Sequence, residues 1–173
     1  MNKIVKLTLI LFLVSAIVAG ILGLTNMVTE KPIAEYNAKK TAEAYSAVMD
    51  FSSYDDTGYK GDGTVTNVYK TDTGNWIVEA EVSGSQGMIT VAVGVNADLT
   101  CNGISIISSS ETSGLGSKAS NAEFKDQFVG KTADQAKVTK DGGEINAITG
   151  ATITSRAVCT AVNAAIAAVS TLG

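Results

Sequence analysis

The sequence contains no histidine among its 173 residues, and it has only two cysteines. The lack of histidine excludes His-based catalytic triads, His-ligated metals and imidazole acid–base chemistry. Cys101 and Cys159 lie far apart and form no C-x-x-C pattern, which argues against a zinc or iron–sulfur site built by this chain alone. The sequence leaves two alternatives for the pair: a disulfide outside the cytoplasm, or two small buried apolar side chains. We therefore expect no metal site built by this chain alone.

Basic residues are also few, with 13 Lys and Arg against 17 Asp and Glu, for a net charge of −4. Proteins that bind nucleic acid need clustered Lys and Arg to neutralise phosphates. A nucleic-acid partner is therefore not expected.

One long hydrophobic run stands near the N-terminus, and residues 7–29 carry no charge. Eighteen helical residues span about 27 Å, close to the thickness of the hydrocarbon core of a bilayer. We predict a transmembrane helix over 7–27 after a cytoplasmic segment, 1–6, because Lys3 and Lys6 place the N-terminus inside by the positive-inside rule. The alternative is a cleaved signal peptide, whereas a lipoprotein anchor is excluded because no cysteine follows the run.

The remainder of the chain predicts an α+β fold, a small antiparallel sheet with packed helices, as one extracytoplasmic domain. A juxtamembrane helix over 28–50, with Pro32 in its first turn, precedes a domain over 51–173 that opens with a polar loop, 51–63. Alternating or apolar runs joined by short polar turns indicate a meander of four strands at 64–70, 75–82, 88–95 and 103–109. Two helices are expected, near 121–130 and from about 151 to 169. In the second, residues at every fourth position form a core stripe: Ile153, Ala157, Ala161, Ala165 and Val169.

The stretch "NAITGATITSRAV" begins the last predicted helix and holds Arg156, the one arginine of the chain. We predict that Thr149 is the N-cap and that Thr152 lies in the first turn, where unpaired N–H groups and the helix dipole favour phosphate. Arg156 is four residues after Thr152, so its guanidinium lies on the same face and can pair with that phosphate. Gly150 and Ala151 leave room for a bulky group. The alternative is ordinary capping threonines and a solvent-facing arginine.

"NAITGATITS" also resembles the flavinylation motif, roughly Asp-x-x-Ser/Thr-Gly-Ala-Thr, of proteins that carry FMN on threonine through a phosphoester. "ETSGLGSKA" resembles the Glu-Thr-Pro-Gly-Leu-Gly segment of the same proteins, and a Phe-containing helix ending in "FVGK" follows it. Together with the N-terminal anchor, these motifs make the chain similar to the G subunits of Rnf electron-transport complexes. These proteins are related to the C subunit of the sodium-translocating NADH:quinone reductase.

The resemblance implies that Thr152 accepts FMN from a separate flavin transferase that uses FAD and magnesium. The other cofactor-binding positions, from the resemblance and from the predicted helix start together, are Thr149, Gly150, Ala151, Ile153, Thr154, Arg156, Glu111, Thr112, Gly114, Leu115, Gly116 and Lys118. The sequence departs from the family pattern at Asn146, which replaces Asp, at Ser113, which replaces Pro, and at Ser109, which replaces His in many relatives.

The resemblance further implies an electron-carrying subunit, not catalytic alone, of a membrane complex that moves electrons between reduced ferredoxin and NAD and translocates sodium or protons. Its expected partners are membrane and iron–sulfur subunits of the complex, the flavin transferase during maturation, and the cell membrane. The ion path must lie in partner subunits, because the predicted span holds no charged residue. The alternatives are the C subunit of the quinone reductase, a separate extracytoplasmic flavin shuttle, and a flavin-free membrane-tethered binding module.

Overall fold

The computed structural model describes residues 2–172 except 60 and 62, so two residues of the predicted loop 51–63 lie outside the described part. The chain divides into two units, Met1–Lys40 and Thr41–Gly173. The described residues form three α-helices and five strands in the order α1 (Lys3–Val48), β1 (Tyr54–Asp56), β2 (Val65–Thr71), β3 (Trp76–Ser83), β4 (Met88–Val95), β5 (Cys101–Ser109), α2 (Ala122–Lys125) and α3 (Thr152–Leu172).

The first unit consists of helix α1 up to Lys40. The predicted membrane span and the predicted juxtamembrane helix are parts of this one helix, so Pro32 lies in its interior and not in a first turn. Proline has a helical φ but no N–H, so the carbonyl of Val28 loses its usual helical donor there. The apolar part of α1 is long enough to cross a membrane, with a mean hydropathy of 2.7 over its best window. The predicted boundaries at residues 7, 28 and 51 stay predictions.

The second unit is built on a five-stranded antiparallel sheet in the order β1-β2-β3-β4-β5. The four predicted strands are all present as the expected meander. Strand β1 was not predicted, and the assignment of Tyr54–Asp56 to a loop is wrong. All three of its residues are exposed, so no burial pattern marks them, and the strand is held by pairing of its backbone with β2.

One face of the sheet packs against α3. Four of the five residues of the predicted core stripe are buried there: Ala157, Ala161, Ala165 and Val169. Ile153, the fifth, is 59% exposed, and its expected place in the core is wrong. The first turn of α3 borders an open groove instead of the sheet, so the stripe begins one turn later. Although α3 is apolar enough to span a membrane, most of its residues are buried in the domain.

The opposite face of the sheet is covered by the end of α1, which belongs to the second unit. Tyr45 and Val48 are buried there in one cluster with Ile77, Ala92 and Ile107 of the sheet. The Asn102 side chain donates a hydrogen bond of 2.7 Å to the Val48 carbonyl, one of the carbonyls that a helix end leaves without a partner. The sheet thus has packing on both faces, and on this second face the packing surrounds Ile77, Ala92 and Ile107.

The predicted helix over 121–130 is shorter than expected. It consists of α2 and a following 3₁₀ turn, Asp126–Phe128. Phe124 and Phe128 are both buried and meet edge to face at 5.4 Å, and Gly130 follows with a φ of +74°.

The two cysteines are free thiols in the structure, and both are buried. Burial raises the pKa of Cys101 and of Cys159 to about 12. Of the two alternatives left by the sequence, the structure has the buried thiols.

Candidate functional site

A tight turn immediately precedes α3. The Ala151 N–H donates to the Ile148 carbonyl at 2.9 Å, which closes a four-residue turn. Gly150, the third residue of this turn, has a φ of +79°, a conformation that residues with a Cβ rarely adopt. Glycine at this position therefore allows the left-handed backbone conformation of the turn, in addition to the steric clearance that the sequence predicted.

Helix α3 begins after this turn, and the expectation that Thr149 is its N-cap is wrong. The Ala151 carbonyl accepts the first helical hydrogen bond, from the Ser155 N–H at 3.0 Å, so Ala151 occupies the capping position. Because the backbone of Gly150 has a left-handed conformation, the helix cannot begin before this residue. The Ser155 hydroxyl then fastens the turn to the helix by accepting from the Ile148 N–H and donating to the Ala151 carbonyl, each at 2.9 Å.

Thr152 is the first residue of α3 and is half-buried. Within the described part of the chain, its hydroxyl makes no hydrogen bond, and no carbonyl accepts from the backbone N–H groups of residues 152–154. Thr154 and Ser155 are fully buried and their hydroxyls are engaged. The hydroxyl that the motif singles out is therefore accessible, whereas the two that follow it in sequence are not.

A groove of about 380 Å³ opens beside Thr152, and we name it the Thr152 groove. Nine of the predicted site residues line it: Glu111, Thr112, Leu115, Gly116, Gly150, Ala151, Thr152, Ile153 and Thr154. Ser85 and Gln86, in the turn between β3 and β4, line it too and were not identified from the sequence. Their one signal is the turn "SGSQG", which is common between any two strands.

Glu111 connects the walls of this groove. Its Oε2 accepts a hydrogen bond from the Thr154 hydroxyl at 2.6 Å, and its Oε1 accepts from the backbone N–H groups of Ser85 and Gln86 at 2.7 and 3.0 Å. Partial burial alone would raise the pKa of this carboxyl, but the three hydrogen bonds outweigh it and hold the pKa below its usual value. Glu111 is therefore ionised at neutral pH.

Two large apolar side chains line the groove and remain open to solvent. Leu115 is 44% exposed and Ile153 is 59% exposed. Exposed aliphatic side chains beside polar hydrogen-bonding groups are typical of sites for ligands that have both characters.

A second groove of about 210 Å³ contains Lys118 and Thr149 of the predicted site, and we name it the Lys118 groove. Asn146 and Gln127 also line it, and the Asn146 N–H donates to Gln127 Oε1 at 2.8 Å. Asn146, which replaces the aspartate of the motif, is thus part of this second groove.

Gly114 and Arg156 line neither groove. Gly114 has a φ of +79° and donates its N–H to the Ser117 hydroxyl at 2.9 Å. Arg156 forms a bidentate ion pair with Asp141, in which both N···O distances are 2.7 Å. This pair raises the pKa of Arg156 and lowers the pKa of Asp141. Its role toward a phosphate stays a prediction.

Comparison with known proteins identifies the family. Residues 84–167 match the model of the FMN-binding domain. The chain is 34% identical to the G subunit of the ion-translocating oxidoreductase complex of Methanosarcina acetivorans, over 95% of this chain and 94% of the relative. It is 39% identical to the G subunit of the Na(+)-translocating ferredoxin:NAD(+) oxidoreductase complex of Acetobacterium woodii, over 93% and 89%. The chain belongs to the family of G subunits of ion-translocating oxidoreductase (Rnf) complexes.

Membership of this G-subunit family confirms the expected α+β fold with an FMN-binding domain and the expected redox subunit of a translocase. It also agrees with a membrane-associated chain that has an apolar N-terminal helix. The matched range begins at Gly84 and so includes the β3–β4 turn, Glu111 and the first turn of α3. Both grooves therefore lie within the FMN-binding domain of this Rnf-family chain.

Proposed function

We propose that this chain carries FMN covalently, through a phosphoester to Thr152, and passes electrons as a membrane-anchored component of an Rnf-type complex. The observation that carries the proposal is the state of the Thr152 hydroxyl, which is accessible, makes no hydrogen bond in the described structure and lies at the edge of the Thr152 groove. In forming the ester, the hydroxyl would lose its proton, and its oxygen would become bonded to the FMN phosphorus of FAD, while the pyrophosphate bond of FAD breaks and AMP leaves.

The N-terminus of α3 supplies the positive potential that a phosphate needs. The backbone N–H groups of residues 152–154 have no carbonyl partner among the described residues, and the helix dipole adds a partial positive charge. A phosphodiester on Thr152 keeps one negative charge beside these groups. Arg156 can contribute only if its guanidinium pairs with Asp141 and with the phosphate at the same time. The N-terminus of α3 is therefore the main source of positive potential for the phosphate.

The Thr152 groove fits the flavin ring by its chemistry. The ring has an apolar dimethylbenzene part and a polar pyrimidine part, and the groove offers the exposed side chains of Leu115 and Ile153 beside backbone groups of Gly150 and Gly116. FMN, when bound, supplies the electron chemistry, and the protein supplies attachment and orientation.

The setting of the site follows from α1 and from the relatives. An uncharged helix near the N-terminus, preceded by Lys3 and Lys6, supports a single span with the flavin domain outside the cytoplasm. We infer electron transfer between ferredoxin and NAD from the name of the Acetobacterium woodii relative. A relative from Clostridium ljungdahlii, 43% identical over 56% of this chain, is named as proton-translocating, whereas the Acetobacterium woodii relative is named as Na(+)-translocating. The proposal therefore leaves the coupling ion open, and other Rnf subunits are the proposed partners.

The attachment can be tested by producing the full chain together with a flavin transferase. After denaturing electrophoresis, the wild type should fluoresce under ultraviolet light, and Thr152→Ala should be dark. The matched control is Thr160→Ala, which removes an exposed hydroxyl from the same helix outside both grooves. Mass spectrometry of peptides that contain residues 146–156 would locate the added FMN.

A dark wild type in the presence of an active transferase would exclude covalent FMN and favour the flavin-free binding module. Fluorescence that persists in Thr152→Ala would place the ester on another hydroxyl. Iron–sulfur subunits that co-purify with the wild type from detergent-solubilised membranes would support the Rnf-type complex.

A further inference from the structure

The carboxylate of Glu111 joins three separate segments of the domain. Glu111 follows β5, Ser85 and Gln86 belong to the β3–β4 turn, and Thr154 lies in the first turn of α3. Both carboxylate oxygens accept hydrogen bonds from protein donors. The side chain is thus engaged within the protein, although it lines the Thr152 groove.

Two glycines make room for this carboxylate. A Cβ added at Gly84 would collide with Glu111 Oε1, and a Cβ added at Gly116 would collide with Oε2 and crowd the Thr154 hydroxyl. The backbone on both sides therefore closes directly on the carboxylate. Charged hydrogen bonds of 2.6 to 3.0 Å are among the stronger ones in proteins.

The joined segments are also walls of the groove proposed to hold the flavin. Ser85 and Gln86 line it from the β3–β4 turn, and Thr154 lines it from α3, two residues after Thr152. If the link were lost, the turn could move relative to the helix, because the β3–β4 turn is otherwise closed by a single described bond, from the Gly84 N–H to the Gly87 carbonyl.

We propose that Glu111 is a positioning residue of the flavin site, which fixes the width of the Thr152 groove by tying the β3–β4 turn to the first turn of α3 through Thr154. The proposal rests on the proposed function, because it concerns the orientation of the flavin after its attachment. Glu111 acts through Thr154 and the turn, and it forms no bond to the cofactor in this role.

The test uses the full chain and two variants that break different arms of the link. Glu111→Gln keeps the shape but removes the charge and one acceptor. Thr154→Val keeps the shape and removes only the hydroxyl. Thr154→Ser restores the hydroxyl, and Thr160→Val makes the same change as Thr154→Val at an exposed position of α3. Each protein is studied without flavin by amide hydrogen exchange and with flavin by visible circular dichroism.

In the absence of flavin, Glu111→Gln should speed the exchange of the Ser85 and Gln86 amides about tenfold, because their charged acceptor is lost. Thr154→Val should leave these amides close to wild type, since their own acceptor remains. After loading, both variants should keep covalent flavin but lose much of its visible circular dichroism. Thr154→Ser and Thr160→Val should retain it.

Wild-type circular dichroism in Thr154→Val would overturn the proposal, because Glu111 could not then act through that hydroxyl. Unchanged exchange in Glu111→Gln would overturn it as well. So would equal acceleration at Val91, a buried residue of the central sheet, since that would indicate general destabilisation. A wild type that accepts no flavin would refute the proposed function, and the link itself would then be decided by exchange alone.

Discussion

Gly150 is constrained both by its backbone conformation and by the space around it. Its φ is +79°, and an added Cβ would lie 3.2 Å from Leu115 Cδ2. Gly150→Ala should therefore destabilise the domain by about 1 kcal/mol through backbone strain. It should also reduce flavin attachment, because the turn positions Thr152. Thermal unfolding and in-gel flavin fluorescence measure the two effects.

Gly130→Ala is the matched control for this prediction. Gly130 has a similar φ, +74°, but an added Cβ would meet nothing within 4 Å, and the residue lines neither groove. The control should lose similar stability and keep full flavin attachment. Equal attachment in the two variants would show that the turn at Gly150 does not position Thr152.

At the scale of single residues, the sequence predicted the environment of the site better than the role of each residue. The spacing placed Thr152 in the first turn of α3, and the structure has it there. Thr149 was misassigned because a capping threonine and a turn threonine look alike in sequence until the left-handed glycine is known. The ion pair of Arg156 with Asp141, which lies 15 residues earlier, could not be predicted, because no helical spacing reveals such a pair.

The end of α1 and the pair β4–β5 illustrate how closely whole elements pack. Gly94 and Gly103 are register partners beneath the Val48 carbonyl. A Cβ at Gly94 would lie 2.6 Å from that oxygen, whereas a Cβ at Gly103 would lie 3.5 Å from it. We predict that Gly94→Ala costs roughly 1–3 kcal/mol, because backbone atoms must move apart. Gly103→Ala should change stability by less than about 1 kcal/mol. Chemical denaturation of both variants measures the difference.

If the two alanine variants were equally stable, the end of α1 would not be fixed against the sheet as described. The Asn102 hydrogen bond to the same carbonyl provides an independent check, because Asn102→Ala should destabilise in the same direction as Gly94→Ala.

Elements with a strong burial pattern were predictable, and those without one were not. β2 to β5 alternate or are continuously apolar, and their expected bounds differ from the observed ones by no more than about two residues. β1 has only exposed residues and depends on its neighbour for pairing. Pro32 lies inside α1 and not in a first turn, because proline is tolerated in a long helix when a single hydrogen bond is lost.

On the scale of the whole molecule, one helix serves two environments. Residues of α1 up to Lys40 expose apolar side chains along most of the segment from Ile4 to Leu24, as a membrane anchor requires. The same helix ends with Tyr45 and Val48 buried in the second unit. The spacing of apolar residues does not separate these two parts, because the backbone of α1 is one continuous helix and only its surroundings change. The sequence therefore predicted the apolar N-terminal helix but not the burial of its last turns in the second unit.

This division predicts different behaviour for two truncated chains. A chain of residues 41–173 should be soluble without detergent and unfold cooperatively, because it retains both core clusters. A chain of residues 51–173 lacks Tyr45 and Val48, which exposes the face of the sheet around Ile77 and Ile107. It should be less stable by several kcal/mol, on the order of 3 kcal/mol or more, and prone to aggregation. Thermal unfolding and size-exclusion chromatography compare the two.

Tyr45→Ala within residues 41–173 is the control, and it should reproduce part of the loss of stability without any change in length. Equal stability of the two truncated chains would show that the domain begins at residue 51, where the sequence placed it.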